Sequence, residues 1–195
     1  MLFVIILFSS SVNLVKIRKE KAEIPDAPMS GIGFDTFPDE IFVYGQYPLV
    51  LELTGGNGPS SELKVQKRAV NDQDSQKFKS VYTGETGSRQ LIFYTDNSNK
   101  FALAPRADGV IGAANYEEAQ ANNDTSNFIW KAEDEWAGRS IYKYRFVHVK
   151  TGKCMNVWGG MKPGFTVGLY DCNKKGFAYN EVFTDSMLQG LRYQG

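Results

Sequence analysis

The sequence predicts an all-β fold made of three repeated units, each with about four short strands. Three observations predict it. A phrase ending in an aromatic residue recurs three times, and Phe78, Trp130 and Phe183 stand 52 and 53 residues apart. Short runs of β-branched and aromatic residues precede each phrase, bounded by Gly, Asn, Asp and Pro, which is the strand-and-turn pattern. Nineteen glycines in 195 residues supply many turns, and hydrophobic residues at 42% are enough for a sizeable core in one domain.

The chain opens with an apolar run, Leu2 to Leu7, then Phe8 and three serines. The run is shorter than the roughly 20 apolar residues a membrane-spanning helix needs. Residues 1–15 are read as a secretory signal peptide. Against that reading, no Lys or Arg precedes the run, while Lys16, Arg18, Lys19 and Lys21 follow it, and charge placed there opposes translocation. The alternative is a buried N-terminal strand in a cytosolic protein. Residues 16–38 form a charged leader without a core pattern, and 39–195 the folded domain.

The first unit runs Glu40-Ile41-Phe42-Val43-Tyr44, a turn at Gly45 to Pro48, the strand Val50-Leu51-Glu52-Leu53, a Gly55-Gly56 loop, a strand around Leu63 and Val65, and Ser75-Gln76-Lys77-Phe78. The second has Gln90-Leu91-Ile92-Phe93-Tyr94, a turn at Asp96 to Asn99, Phe101-Ala102-Leu103-Ala104, and Asn127-Phe128-Ile129-Trp130. The third has Tyr144 to Val149, a turn at Lys150-Thr151-Gly152, Cys154-Met155-Asn156-Val157, a Gly159-Gly160 loop, Val167 and Leu169, and Asn180-Glu181-Val182-Phe183. One such unit cannot bury its apolar face alone. Three together close a barrel and cap it, leaving few free sheet edges. That arrangement is a β-trefoil, with Phe78, Trp130 and Phe183 meeting near its pseudo-threefold axis.

The third unit resembles the repeat of ricin B-type lectins. Thr151-Gly152-Lys153-Cys154-Met155-Asn156-Val157 is similar to the family phrase Thr-Gly-x-Cys-x-Asp-Val. Leu169-Tyr170-Asp171-Cys172 and Asn180-Glu181-Val182-Phe183 follow the phrases Gln-Leu-Trp-x-Cys and Asn-Gln-x-Trp. The match is specific over 151–183 and weaker, though in register, over 41–78 and 91–130. The resemblance implies a disulfide between Cys154 and Cys172, the two cysteines of the chain. Such a bridge would contribute roughly 3 kcal/mol in the chain-entropy model. Two buried free thiols are the alternative if the chain stays in the cytosol.

The resemblance also implies binding of galactose-like sugars in shallow pockets, one per unit at most. A carboxylate accepts hydrogen bonds from two sugar hydroxyls, and an aromatic ring stacks on the C–H face of the pyranose. An Asn near the end of the repeat completes the polar contacts. Carried over by position, Asn156 stands for the carboxylate, Tyr170 for the platform, Asn180 for the Asn, and Glu181 for the neighbouring Gln. Gly168 stands where some sites carry a Gln. Asn156 is the main departure, because an amide accepts less strongly than a carboxylate. In the first unit Glu52 is acidic, but Lys64 and Gln66 fall at the other positions. In the second, Leu103 takes the carboxylate position, so no polar anchor is expected.

Composition excludes some classes. Lys plus Arg and Asp plus Glu are 22 each, so no basic surplus exists for nucleic acid. His148 is the one histidine, and with two cysteines it makes a poor zinc set. No cofactor is expected. Asn71-Asp72-Gln73-Asp74 lacks the Gly and Glu of a calcium loop, and Gly55-Gly56-Asn57-Gly58 lacks the Lys-Ser or Lys-Thr of a phosphate loop. No catalytic constellation stands out, so a binding module is expected rather than an enzyme. The first reading is a secreted or cell-surface lectin whose partners are glycans or glycoproteins, touching membranes through glycans only. The second is a trefoil scaffold for protein partners, a coat component or inhibitor, with its sugar sites decayed. Asn123-Asp124-Thr125 is a glycosylation sequon that fits an exposed loop.

Overall fold

The computed structural model describes residues 40–46, 48–71, 73–83, 89–136 and 142–184. The segments read as signal peptide and leader, 1–15 and 16–38, lie outside the described residues.

Among the described residues, twelve strands fall into three groups of four. The first unit holds β1 (Phe42–Val43), β2 (Leu49–Thr54), β3 (Glu62–Lys67) and β4 (Lys79–Tyr82). The second holds β5 (Gln90–Tyr94), β6 (Phe101–Pro105), β7 (Ile111–Asn115) and β8 (Trp130–Trp136). The third holds β9 (Tyr142–His148), β10 (Cys154–Val157), β11 (Val167–Tyr170) and β12 (Phe183–Thr184). In each unit a single 3₁₀ turn precedes the last strand: Asp74–Gln76, Ser126–Phe128 and Tyr179–Glu181. The fold is the expected β-trefoil.

All pairings are antiparallel and form one sheet. Neighbouring units join through β4–β5, β8–β9 and β12–β1. Within the second unit β5 meets β8 at Leu91↔Trp130, and within the third β9 meets β12 at Tyr144↔Phe183. The middle strands of each unit form the hairpins β2–β3, β6–β7 and β10–β11. These hairpins touch one another around the axis. Lys64 bridges to Thr166 and Val110 to Gly168, while the Ala113 N–H donates to Ser61 Oγ at 2.6 Å. The three contacts link each hairpin to the next and cap the barrel.

Alternation along the strands places the core. Leu51 and Leu53 lie opposite Val65 and Leu63 and are buried, with Glu52 between them turned away. Met155 and Val157 do the same around Asn156 in the third unit. A pleated strand sends successive side chains to opposite faces, so this alternation is what a half-buried hairpin requires. Phe78, Trp130 and Phe183 each follow their 3₁₀ turn by two residues and are 1%, 0% and 0% exposed. All three belong to one continuous core. Phe93 meets Phe146 edge-on at 4.9 Å, and Phe146 meets Phe183 at 5.8 Å, both favourable aromatic geometries.

The second unit departs from the others. It carries the short helix α1 (Tyr116–Ala121), whose N-cap Asn115 accepts the Glu118 N–H at 3.0 Å. Tyr116 packs edge-on against both Tyr94 and Phe128, forming a second small core with Ile92, Ala102 and Ala104. Desolvation there, followed by the neighbouring Tyr116, pushes the Tyr94 phenol up to about 12.

Strand register corrects one sequence assignment. The Asn127 side chain donates to Pro105 O, as Asn180 donates to Val157 O. Pro105 is therefore equivalent to Val157, and Ala104 to Asn156. Leu103 is a core residue with no exposed surface, and the carboxylate position of the second unit belongs to Ala104. A slip of one residue exchanges the two faces of a strand. The absence of a polar anchor there is unchanged.

Candidate functional site

Asn156 and Tyr170 stand on the two strands of the β10–β11 hairpin, where Asn156 lies opposite Gly168 and Tyr170 opposite Cys154. Asn180 comes from the 3₁₀ turn before β12. Its Nδ2 donates to Asn156 Oδ1 at 2.8 Å. The three residues line one open depression of about 490 Å³, together with Val157, Trp158 and Gly159. Asn156 forms the floor at 4% exposure, and Tyr170 stands free at 63%.

The polar floor has a definite sense. With Oδ1 committed to Asn180, Asn156 presents its Nδ2 hydrogens, which have no protein acceptor among the described residues. Asn180 Oδ1 is left as an acceptor. The site therefore offers one donor and one acceptor beneath an exposed aromatic ring, a pattern suited to neighbouring hydroxyls on a ring with an apolar face.

The Cys154–Cys172 disulfide spans the hairpin base with a Cα separation of 5.0 Å. It ties the segment after β11 to β10, and Tyr170 lies two residues before Cys172 and directly opposite Cys154. The platform is held by a covalent cross-link.

Glu181 does not join the depression. It is 1% exposed and faces the other side of the 3₁₀ turn. Its Oε1 accepts from Ala178 N–H at 3.0 Å and from Arg145 at 3.3 Å, and its Oε2 accepts from Asn173 N–H at 3.3 Å. Arg145 also holds Glu133 at 2.5 Å. Burial works to raise the Glu133 carboxyl, but hydrogen bonds from Arg145 and Lys131 outweigh it and hold it below the usual value. Glu181 is thus a structural anchor for the loop that presents Asn180, and its expected place among the sugar contacts is corrected accordingly.

Trp158 is the site residue that sequence reasoning passed over. Its indole lies across Gly168, in the space a Cβ on that glycine would occupy. The indole thereby covers Gly168 and forms one wall of the depression. Its Nε1 is buried and has no hydrogen-bond partner among the described residues. The available signal was an aromatic immediately after β10, facing a glycine on the paired strand.

The equivalent corners of the other units are different. In the first, Gln76 Nε2 donates to Glu52 Oε2 at 2.6 Å and to Lys67 O at 3.0 Å, so the one available carboxylate is occupied internally. Lys64 pairs with Glu62 at 3.1 Å. In the second, Ala104, Gly112 and Ala114 supply no polar side chain. His148 is buried, with Nε2 against Asn127 O at 3.1 Å and Nδ1 against Thr151 Oγ1 at 3.0 Å. Among the described residues no cluster of His, Cys, Asp and Glu could hold a metal.

No family model matches the chain, and no curated protein matches it. Solved structures do. The designed threefold-symmetric protein ThreeFoil is similar with a TM-score of 0.56 and 15% identity, covering 76% of this chain and 98% of that one. The BEL β-trefoil is similar with a TM-score of 0.54 and 12% identity, covering 80% and 96%. A Polyporus squamosus lectin, solved with the epitope Neu5Aca2-6Galb1-4GlcNAc, is similar with a TM-score of 0.55 and 12% identity. That match covers 77% of this chain and 48% of the lectin. A mosquitocidal holotoxin is matched over only 17% of its length. These likenesses establish the fold.

Proposed function

We propose that this β-trefoil is a secreted carbohydrate-binding module, not an enzyme, and that its one working site is the depression of the third repeat. The observation that carries the reading is the Asn156–Asn180 amide pair beneath the exposed ring of Tyr170, an arrangement present in one repeat of three. The ligand class is a galactose-type pyranose: Tyr170 stacks on its C–H face, Asn156 donates to one hydroxyl and Asn180 Oδ1 accepts from the next. The Cys154–Cys172 bridge supports an oxidising destination, outside the cell or at its surface. Glycans and glycoproteins are then the partners.

A second reading, a protein-binding scaffold, is favoured by the loss of the polar anchor in the second repeat and the internal capture of Glu52 in the first. Calorimetric titration of methyl galactoside separates the two. A single shallow site should bind on the order of millimolar. Tyr170→Ala removes the stacking surface, about 1 kcal/mol or more of a small total, and should abolish detectable binding with the fold intact. No response from wild type or variant would leave the scaffold reading.

A further inference from the structure

Among the described residues, the second repeat alone carries an α-helix, α1, and the connection behind it runs from Asn122 to Thr125. That connection contains Asn123-Asp124-Thr125, and no other Asn of the chain is followed two residues later by Ser or Thr. We infer that Asn123 is an N-glycosylation site, carrying one oligosaccharide on its side-chain nitrogen. The inference rests on the secretory destination proposed above.

Asn123 occupies the left-handed position that ends α1. Its φ is +55°, its N–H donates to Gln120 O at 3.1 Å, and the Asp124 N–H donates to Ala119 O at 2.9 Å. The two bonds close the helix as a Schellman turn, where Asn is tolerated at the left-handed residue. The turn fixes the backbone and makes no use of the side chain. Asn123 is exposed, and its carboxamide has no hydrogen-bond partner among the described residues. The Thr125 hydroxyl is likewise unpaired among them.

Other asparagines are committed to the fold. Asn115 caps α1, Asn127 donates to Pro105 O, and Asn180 donates to Asn156. At Asn123 the two groups that the transfer reads, an amide nitrogen and a hydroxyl two residues on, are both free. In the reaction Nδ2 forms a bond to the anomeric carbon of an oligosaccharide carried on a polyprenyl pyrophosphate. The bond from that carbon to the pyrophosphate oxygen breaks, the lipid pyrophosphate leaves with the electron pair, and one amide hydrogen leaves as a proton. Nothing is oxidised or reduced. The product is a bulky, solubilising group on the surface.

The position is compatible with a single working sugar site. Asn123 belongs to the second repeat, while the depression is built from β10, β11 and the last 3₁₀ turn. The neighbouring Asp124 lines an open cleft with Pro105, Arg106 and Asn127, on the second-repeat side. The oligosaccharide thus leaves the chain beside a corner that has no polar anchor of its own.

The test expresses the full chain in cultured eukaryotic cells in two forms, with its own N-terminus and behind a foreign cleavable signal sequence. The signal-fused protein recovered from the medium should carry one oligosaccharide. Peptide N-glycosidase should release it and leave an aspartate at position 123, read by peptide mass spectrometry. Thr125→Ala should be secreted without the oligosaccharide, and Thr125→Ser should retain it. Asn123→Gly removes the acceptor but suits the left-handed turn, so it should be secreted folded and unglycosylated. An unmodified Asn123 in the secreted protein, or an oligosaccharide that persists in both Thr125→Ala and Asn123→Gly, would overturn the proposal. Retention of the chain with its own N-terminus inside the cells, while the fused chain is glycosylated, would contradict the secretory reading and leave the acceptor site standing.

Discussion

Asn156 sits where a carboxylate would give stronger hydrogen bonds, and its surroundings are ready for one. Asn180 Nδ2 already donates to its Oδ1 at 2.8 Å. The nearest acidic concern, Glu181, is buried on the other side of the turn and paired with Arg145. Asn156→Asp should therefore fold normally, keep the Asn180 contact and tighten galactoside binding about fivefold, since charge-assisted hydrogen bonds are stronger than neutral ones. Calorimetry checks this: the sugar hydroxyl that accepts from the Asn156 amide can instead donate to the new carboxylate, and a weaker or unchanged affinity would show that it does not. At this scale the sequence was legible where a motif fixes the position. Asn156, Tyr170 and Asn180, carried over from the resemblance, line one depression. Glu181 and Trp158 were not legible, because side-chain direction at a 3₁₀ turn and the filling of a glycine vacancy depend on the packed partner strand.

Elements meet at specific pins, and His148 is the clearest. It fastens β9 to the 3₁₀ turn before β8 through Asn127 O. Burial depresses its pKa most, the Asn127 carbonyl opposes that, and Lys150 adds to the depression. A native pKa below the unfolded value of roughly 6.5 means the unfolded chain binds more protons between the two values. Stability is then full above about pH 6.5 and falls as pH drops toward the native pKa. Urea denaturation at pH 7 and pH 5 should show a lower midpoint at pH 5, and His148→Gln should remove that part of the difference. Strand order and hairpins were legible from turn residues and alternation. The register of β6 was not, because Ala102, Leu103 and Ala104 are all buried there, and a strand covered on both faces carries no alternating signal. Phe128 replaces the polar residue found at Gln76 and Glu181, and it turns that corner into the small apolar core under α1.

The whole molecule depends on three aromatic residues arriving at equivalent places. Trp130 is fully buried, and its indole donates to Leu103 O at 3.2 Å. Truncating it to Ala should cost about 3–5 kcal/mol, close to half the stability of a typical domain, and should be read as a large drop in the urea midpoint. The threefold plan was legible because each unit repeats a strand, a turn and an aromatic at nearly constant spacing. The departure of the second unit was not, since α1 is a local insertion held by Tyr116 and Phe128.

The central claim is that one depression, in the third repeat, takes a galactose-type sugar. Its most direct test is nuclear magnetic resonance of isotope-labelled protein titrated with methyl galactoside. The side-chain amides of Asn156 and Asn180, the Trp158 indole N–H and the Tyr170 backbone amide report on that depression separately from the rest of the chain. The account predicts that these signals move together and saturate along one millimolar curve, while the Gln76 side-chain amide of the first repeat stays still. Shifts at the first repeat without movement at Asn156 and Tyr170, or no shifts at all, would contradict it.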